Sequence, residues 1–129
     1  MKRRPQRWGM GAALLALLCA CGDAPEETLS EFASPDGDYL LRVTRVAARG
    51  SDGADQIHLY LVPRGMAAGA PVVSTELAND GTPFSGRQIG LTWVAQRTVL
   101  MCLKPRGAAH HGVRVELSDP PRVDKDVQC

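Results

Sequence analysis

From residue 32 onward the chain is a series of short apolar runs whose alternate positions are polar. Over residues 39–46, Tyr39, Leu41 and Val43 fall on one side while Arg42 and Thr44 fall on the other. That period of two is the signature of a strand with one face buried. Residues 57–62 repeat it with Ile57, Leu59 and Leu61, residues 88–94 with Ile89, Leu91 and Trp93, and residues 113–117 with Val113, Val115 and Leu117. Residues 98–103 are apolar on both faces, and residues 72–77 carry a fainter version of the pattern. Turn chemistry separates these runs: Pro35-Asp36-Gly37, Ser51-Asp52-Gly53 and Asp80-Gly81 combine a fixed φ or an Asx side chain with a residue free to take positive φ. No later window carries a sustained helical stripe, since residues 66–70 are too few and contain Gly69. The prediction is all-β: five or six antiparallel strands in a small sandwich or curled meander occupying residues 32–129.

The first twenty residues follow a different logic. Lys2, Arg3, Arg4 and Arg7 form a positive segment, and residues 8–18 are apolar and uncharged, rich in Leu and Ala. This is the anatomy of a secretory signal. Eleven residues of helix reach about 16 Å against a hydrocarbon core of about 30 Å, so a permanent membrane span is the weaker reading. The segment closes with Leu18-Cys19-Ala20-Cys21-Gly22, which resembles the lipobox of bacterial lipoproteins: an aliphatic residue, a spacer, a small residue and the cysteine that receives lipid. Cys21 matches the modified position. Cys19 fits it less well, because bulky Leu18 would then precede the cysteine, and Cys19 itself departs from the Ala, Ser or Thr usual at that spacer.

The resemblance implies that residues 1–20 are a lipoprotein signal peptide and that the mature chain begins at Cys21, bearing a diacylglycerol and usually a third acyl chain. Each buried methylene contributes about 0.8 kcal/mol, so two or three chains give stable anchoring where one does not. Membrane lipid is thereby the first partner expected. In such lipoproteins Asp directly after the cysteine marks retention at the inner membrane. Gly22 stands there instead, so the expected location is the outer membrane, with the domain facing the periplasm. The alternative is cleavage after Ala20 with no lipid attached.

Composition changes the picture once the signal is set aside. The 129 residues carry 15 Lys+Arg and 14 Asp+Glu. Residues 1–20 hold four of the basic residues and none of the acidic ones, so the mature chain has 11 against 14, a net charge near −3. Arg42, Arg45 and Arg49 cluster, but Asp36, Asp38, Asp52 and Asp55 flank them, and no nucleic-acid partner is expected. Residues 22–31 hold Asp23, Pro25, Glu26, Glu27 and Glu31 with Leu29 as the one sizeable apolar residue, and residues 21–31 read as a lipid-anchored flexible tether.

With Cys19 discarded and Cys21 alkylated, Cys102 and Cys129 are the remaining thiols, and an oxidising periplasm permits one disulfide between them. The competing reading keeps Cys102 as a small buried hydrophobe and Cys129 as a free terminal thiol. Neither has a second ligand at close spacing, so no metal site is expected there. His110-His111 lies in a loop between predicted strands and its adjacent rings point to opposite faces. Ser74, Ser85, Glu76, Asp80 and Glu116 are the residues from which a nucleophilic or paired-carboxylate site would be built, yet no nucleophile elbow, phosphate loop, CxxC pair or calcium loop surrounds them. The expectation is a non-enzyme with no catalytic residue and no cofactor. Trp93 shares the parity of Ile89 and Leu91 and is assigned to the core. His58 and Tyr60, on the opposite parity to Ile57 and Leu59, are the candidates for a contact surface.

Residues 32–39, Phe32-Ala33-Ser34-Pro35-Asp36-Gly37-Asp38-Tyr39, resemble the blade openings of Tol-system periplasmic β-propellers and the start of several small bacterial lipoprotein domains. A propeller needs four or more blades, more than 109 residues supply. The resemblance therefore implies only the turn, with Asp36 bonding locally and Gly37 at positive φ. Taken together, the sequence points to a membrane-anchored lipoprotein acting as an interaction or envelope-structural module, with an envelope protein as the expected partner. The second reading is a periplasmic inhibitor or immunity protein that blocks a hydrolase with the loop at residues 104–112.

Overall fold

The computed structural model describes residues 25–49 and 53–129. The signal segment, Cys21, the first residues of the expected tether and most of the Ser51-Asp52-Gly53 turn lie outside the described residues. Among the described residues eight strands form in chain order: β1 (Glu26–Ala33), β2 (Tyr39–Val46), β3 (Asp55–Pro63), β4 (Val73–Leu77), β5 (Ile89–Ala95), β6 (Thr98–Leu103), β7 (His111–Glu116) and β8 (Arg122–Val127). A 3-10 turn, Gly86–Gln88, precedes β5. The strands make two antiparallel meanders, β1-β2-β3-β4 and β5-β6-β7-β8.

Alternation along β2, β3, β6 and β7 builds the core. Leu41, Val43, Ile57, Leu59, Val73 and Leu77 from the first sheet form one buried cluster with Val99, Met101, Leu103, Val113, Val115 and Leu117 from the second. One cluster drawn from both sheets means that the sheets pack face to face as a sandwich. The all-β expectation holds, with eight strands where the hydrophobic pattern shows five or six. The two additional strands, β1 and β8, are the edges at the two ends of the chain.

β1 takes in residues 26–31, which composition assigns to the tether. Leu29 and Phe32 both pack against the core, although three positions apart they belong on opposite faces of a regular strand. A bulge reconciles them: the register shifts between Thr28 and Ser30, so that Thr28 pairs with Thr44 while Ser30 pairs with Val43. β8 is irregular in the same way. Gly112 pairs with Val127 and Val113 with Lys125, and Asp126 sits between at a φ of 64°.

The turn after β1 behaves as its sequence predicts. Ser34 Oγ donates to Asp36 Oδ1 at 2.6 Å, Asp38 N donates to the same oxygen at 3.1 Å, and Gly37 has a φ of 76°. The Ser34 and Tyr39 backbones close the hairpin at 2.8 Å.

Cys102 and Cys129 are joined, with Cα atoms 5.7 Å apart and a sequence separation of 27. Cys102 lies on the outer face of the second sheet, in the register row Gly90, Cys102, Gly112 and Val127. To reach it, the tail after Val127 folds over β7 at Gly112. A Cβ on Gly112 would lie 3.0 Å from Val127 O and 3.1 Å from Cys129 Sγ. Leu100 Cδ1 would lie as close, at 3.1 Å, so a glycine lets β8, the disulfide and the β6 side chain all approach here.

Candidate functional site

The outer face of the first sheet carries the most interconnected polar surface. Register places Thr28, Thr44, His58 and Ser74 in one row across its four strands, with Glu31, Arg42 and Tyr60 in a neighbouring row. His58 and Tyr60, selected by parity as contact residues, stand together here with ring centroids 6.3 Å apart. Tyr60 OH donates to Glu26 Oε1 at 2.7 Å, and Thr44 Oγ1 donates to the same oxygen. His58 Nδ1 meets Ser74 Oγ at 2.8 Å. Arg42 Nε donates to Glu31 Oε1 at 2.6 Å.

Two donors on one carboxylate oxygen stabilise its charged form. The Thr44 hydroxyl, and next the Tyr60 hydroxyl, hold Glu26 below the usual glutamate range against a smaller opposing effect of burial. The same bond pushes the Tyr60 phenol up, since its proton is shared with an anion. A cleft of about 300 Å³ opens over this group, lined by Glu26, Thr28, Arg42, Thr44 and Tyr60 and rimmed by Ala68 and Gly69 of the β3–β4 loop. Chemically it presents an anion, a cation, hydroxyls and an aromatic ring on a sheet face. That combination suits recognition of a polar surface by hydrogen bonds.

The Ser74–His58 pair has no signal in the linear sequence, where the two stand sixteen positions apart on separate runs. Strand register brings them together, since His58 and Ser74 are direct cross-strand partners. Nucleophilic catalysis also needs an acid to orient the imidazole and donors for an oxyanion. Glu26 Oε1 is taken up by the Thr44 and Tyr60 hydroxyls, and the partner of His58 Nδ1 is Ser74. The other candidates have local partners. Ser85 caps the 3-10 turn, where its N–H donates to Gln88 Oε1 at 2.9 Å. Glu76 accepts from Gln56 Nε2 at 3.2 Å, Glu116 faces Arg122 at 3.8 Å, and Asp80 occupies a left-handed turn position at φ 48°. His110 is exposed in the β6–β7 loop and His111 begins β7. Among the described residues no group of three or more His, Cys, Asp or Glu is placed to hold a metal.

The base of the loop at residues 104–112 is fastened by Lys104 N to Gln88 O at 2.8 Å and Arg106 N to Ala78 O at 2.9 Å. Its tip, residues 106–110, is exposed. Trp93 is half-buried at the margin of the core rather than inside it.

A second polar network leaves little trace in the sequence. Asp55, 3% exposed, accepts from Ala48 N at 2.7 Å, Arg45 Nε at 3.0 Å and Asn79 Nδ2 at 2.6 Å. Asn79 Oδ1 in turn accepts from Gln88 Nε2 at 2.6 Å, and the Arg45 guanidinium lies 4.5 Å over the Phe84 ring. Arg45 and Asp55 share the inward parity of Val43 and Ile57, so this network seals one end of the core where β4 crosses to the second sheet. The Ser85-Gly86-Arg87-Gln88 capping-box spacing is the one signal the sequence offers for it. Every bond in the network joins residues of the framework, which makes it structural.

No protein-family model matches the chain, and comparison with curated proteins and with solved structures found no match.

Proposed function

We propose that the chain is a bacterial lipoprotein, lipidated at Cys21 and held at the periplasmic side of the cell envelope, expected at the outer membrane, where its β-sandwich serves as a non-enzymatic interaction or envelope-structural module. The observation that carries this reading is the run Leu18-Cys19-Ala20-Cys21 directly after a positive and then an apolar segment. With lipid on Cys21, a strand beginning at Glu26 would leave only four residues between the anchor and the sheet. A domain so tethered stands close to the lipid surface. The contact surface belongs to the outer face of the first sheet, where Glu26, Arg42, His58 and Tyr60 converge beside the cleft.

The test is fractionation of cells expressing the full chain with radiolabelled fatty acid. The wild type is expected to carry label and to sediment with membranes, and Cys21→Ala to lose the label and move to the soluble fraction. A Cys21→Ala chain still held in the membrane would overturn lipid anchoring. Capture from envelope extract then probes the module. A protein partner retained by the wild type and lost with Tyr60→Ala and Arg42→Ala supports the contact face. One retained by both variants but lost on shortening the exposed loop tip at residues 106–110 supports the inhibitor reading instead.

A further inference from the structure

The four sheet edges are not equally defended. A free edge strand presents unpaired N–H and C=O groups that recruit another strand, and natural sheets blunt such edges with charges, proline or short length. β1 carries Glu26, Glu27 and Glu31, and β8 carries Arg122, Asp124, Lys125 and Asp126. β4 is five residues long and includes Glu76. β5, Ile-Gly-Leu-Thr-Trp-Val-Ala, is seven residues with neither charge nor proline, and it ends its sheet. Its one irregularity is the bulge between Trp93 and Ala95, which leaves residues 89–93 regular.

The side chains of β5 point the same way. Ile89, Leu91 and Trp93 pack against the core yet each is only partly buried. Val94 is 52% exposed, one of two exposed large hydrophobics among the described residues. An apolar strip therefore runs beside open backbone. On the opposite face, an added Cβ at Gly90 meets nothing within 4 Å, and Thr92 is exposed.

We propose that β5 is a self-association edge, where a second copy of this chain adds its own β5 in antiparallel register and joins the two β5–β8 sheets into one. The occupant follows from charge and symmetry. A twofold axis sets a strand against its own reversed sequence, and an uncharged strand meets no charge of its own there. A charged partner segment finds nothing complementary on β5. With the axis at Leu91, the Ile89 position of one copy stands opposite the Trp93 position of the other, a branched residue against an aromatic, and Gly90 stands opposite Thr92. The half-exposed strip on each copy is then covered by the other. This surface is distinct from the outer face of the first sheet and does not depend on the lipid anchor.

Sedimentation equilibrium of the full chain in density-matched detergent tests the proposal. The wild type is expected to show a monomer–dimer equilibrium. Thr92→Lys, at an exposed position, is expected to weaken it roughly tenfold or more by bringing like charges together, as is Thr92→Glu. Mixing the two variants is expected to restore the dimer, because the two positions lie diagonally across the new strand pair. In a Trp8→Phe chain Trp93 is the sole tryptophan, and its emission is expected to shift to the blue as the dimer forms. A chain monomeric at every concentration overturns the proposal. So does a dimer indifferent to both single variants, or one that the mixture fails to restore.

Discussion

Gly112 shows how much one absent side chain decides. It lies under the Cys102–Cys129 bond, and a methyl carbon placed on it would stand 3.0 Å from Val127 O and 3.1 Å from Cys129 Sγ, which makes it the floor over which the chain end crosses. Gly112→Ala is expected to cost about 1–3 kcal/mol of overpacking, read as a lowered urea midpoint. In a Cys102→Ser, Cys129→Ser background the Cys129 end of the tail is free to lift, and part of that cost should disappear; an unchanged cost would place the conflict with Val127 of β8 and Leu100 of β6, whose Cδ1 also lies 3.1 Å from the added carbon. Glu26 makes a prediction of the opposite kind, from contacts present. Its folded pKa is lowered by the Thr44 and Tyr60 hydroxyls, so its contribution to stability is present above the unfolded value and is lost as pH falls through the folded one. Tyr60→Phe removes one donor and should move the Glu26 carboxyl titration, followed by NMR, upward toward the ordinary range. A titration that does not move would mean that the Tyr60 bond is absent in solution.

At the scale of elements, β1 is held by charged side chains as well as by packing. Glu26 binds Thr44 and Tyr60, Glu27 lies 3.3 Å from Arg45 and Glu31 lies 2.6 Å from Arg42, while only Leu29 and Phe32 reach the core. Acid is expected to release β1 before the rest of the sheet, with the hydrogen-exchange protection of residues 26–33, taken relative to intrinsic exchange at each pH, falling as pH drops below the ordinary glutamate range while that of β3 is kept. Equal loss of protection in both strands would refute this ordering. The same composition explains why β1 reads as tether in the sequence: five polar or acidic residues in eight conceal two large apolar ones, Leu29 and Phe32, and a bulge breaks the parity by which strands are recognised. β8 hides in the same way, with one core contact, Val123, and a bulge at Asp126. The central strands are legible because both of their neighbours enforce alternation, and β2 and β6 appear at their expected bounds. Of the candidate site, His58 and Tyr60 follow from parity alone. Their partners Glu26 and Ser74 do not, because cross-strand register is a property of turn lengths and bulges rather than of any local run. The buried Asp55 is likewise invisible, since a lone acidic residue at a strand start reads as solvated until Arg45, Asn79 and Ala48 are folded around it. Asp55→Ala should cost about 3 kcal/mol by leaving buried donors without an acceptor, measurable by chemical denaturation; a cost near zero would show that water replaces the carboxylate there.

The whole molecule is two meanders whose backbone ladders are separate and whose core is common. Among the described residues no strand is shared between the sheets, and chain continuity between them passes through residues 78–88, where Asn79 is bonded both to Gln88 and to Asp55. The disulfide, in contrast, closes 27 positions entirely within the second sheet, and the chain-entropy model credits a loop of that size with about 3.6 kcal/mol. Whether the first sheet feels that constraint depends on which coupling dominates. If the ladders set cooperativity, removing the disulfide loosens β6, β7 and β8 and leaves β2 and β3 as they were. If the core does, both sheets weaken together, because the twelve side chains of the cluster come equally from the two and neither inner face stays dry without the other. The second outcome is expected. In Cys102→Ser, Cys129→Ser the slowest amides of β3 should lose protection by the same factor as those of β6, under conditions where exchange occurs through global unfolding. A β3 that keeps its protection while β6 loses it would divide the sandwich into two units, each stable on its own meander, and would make the polar network at Asp55 a hinge between them rather than a seal on one core.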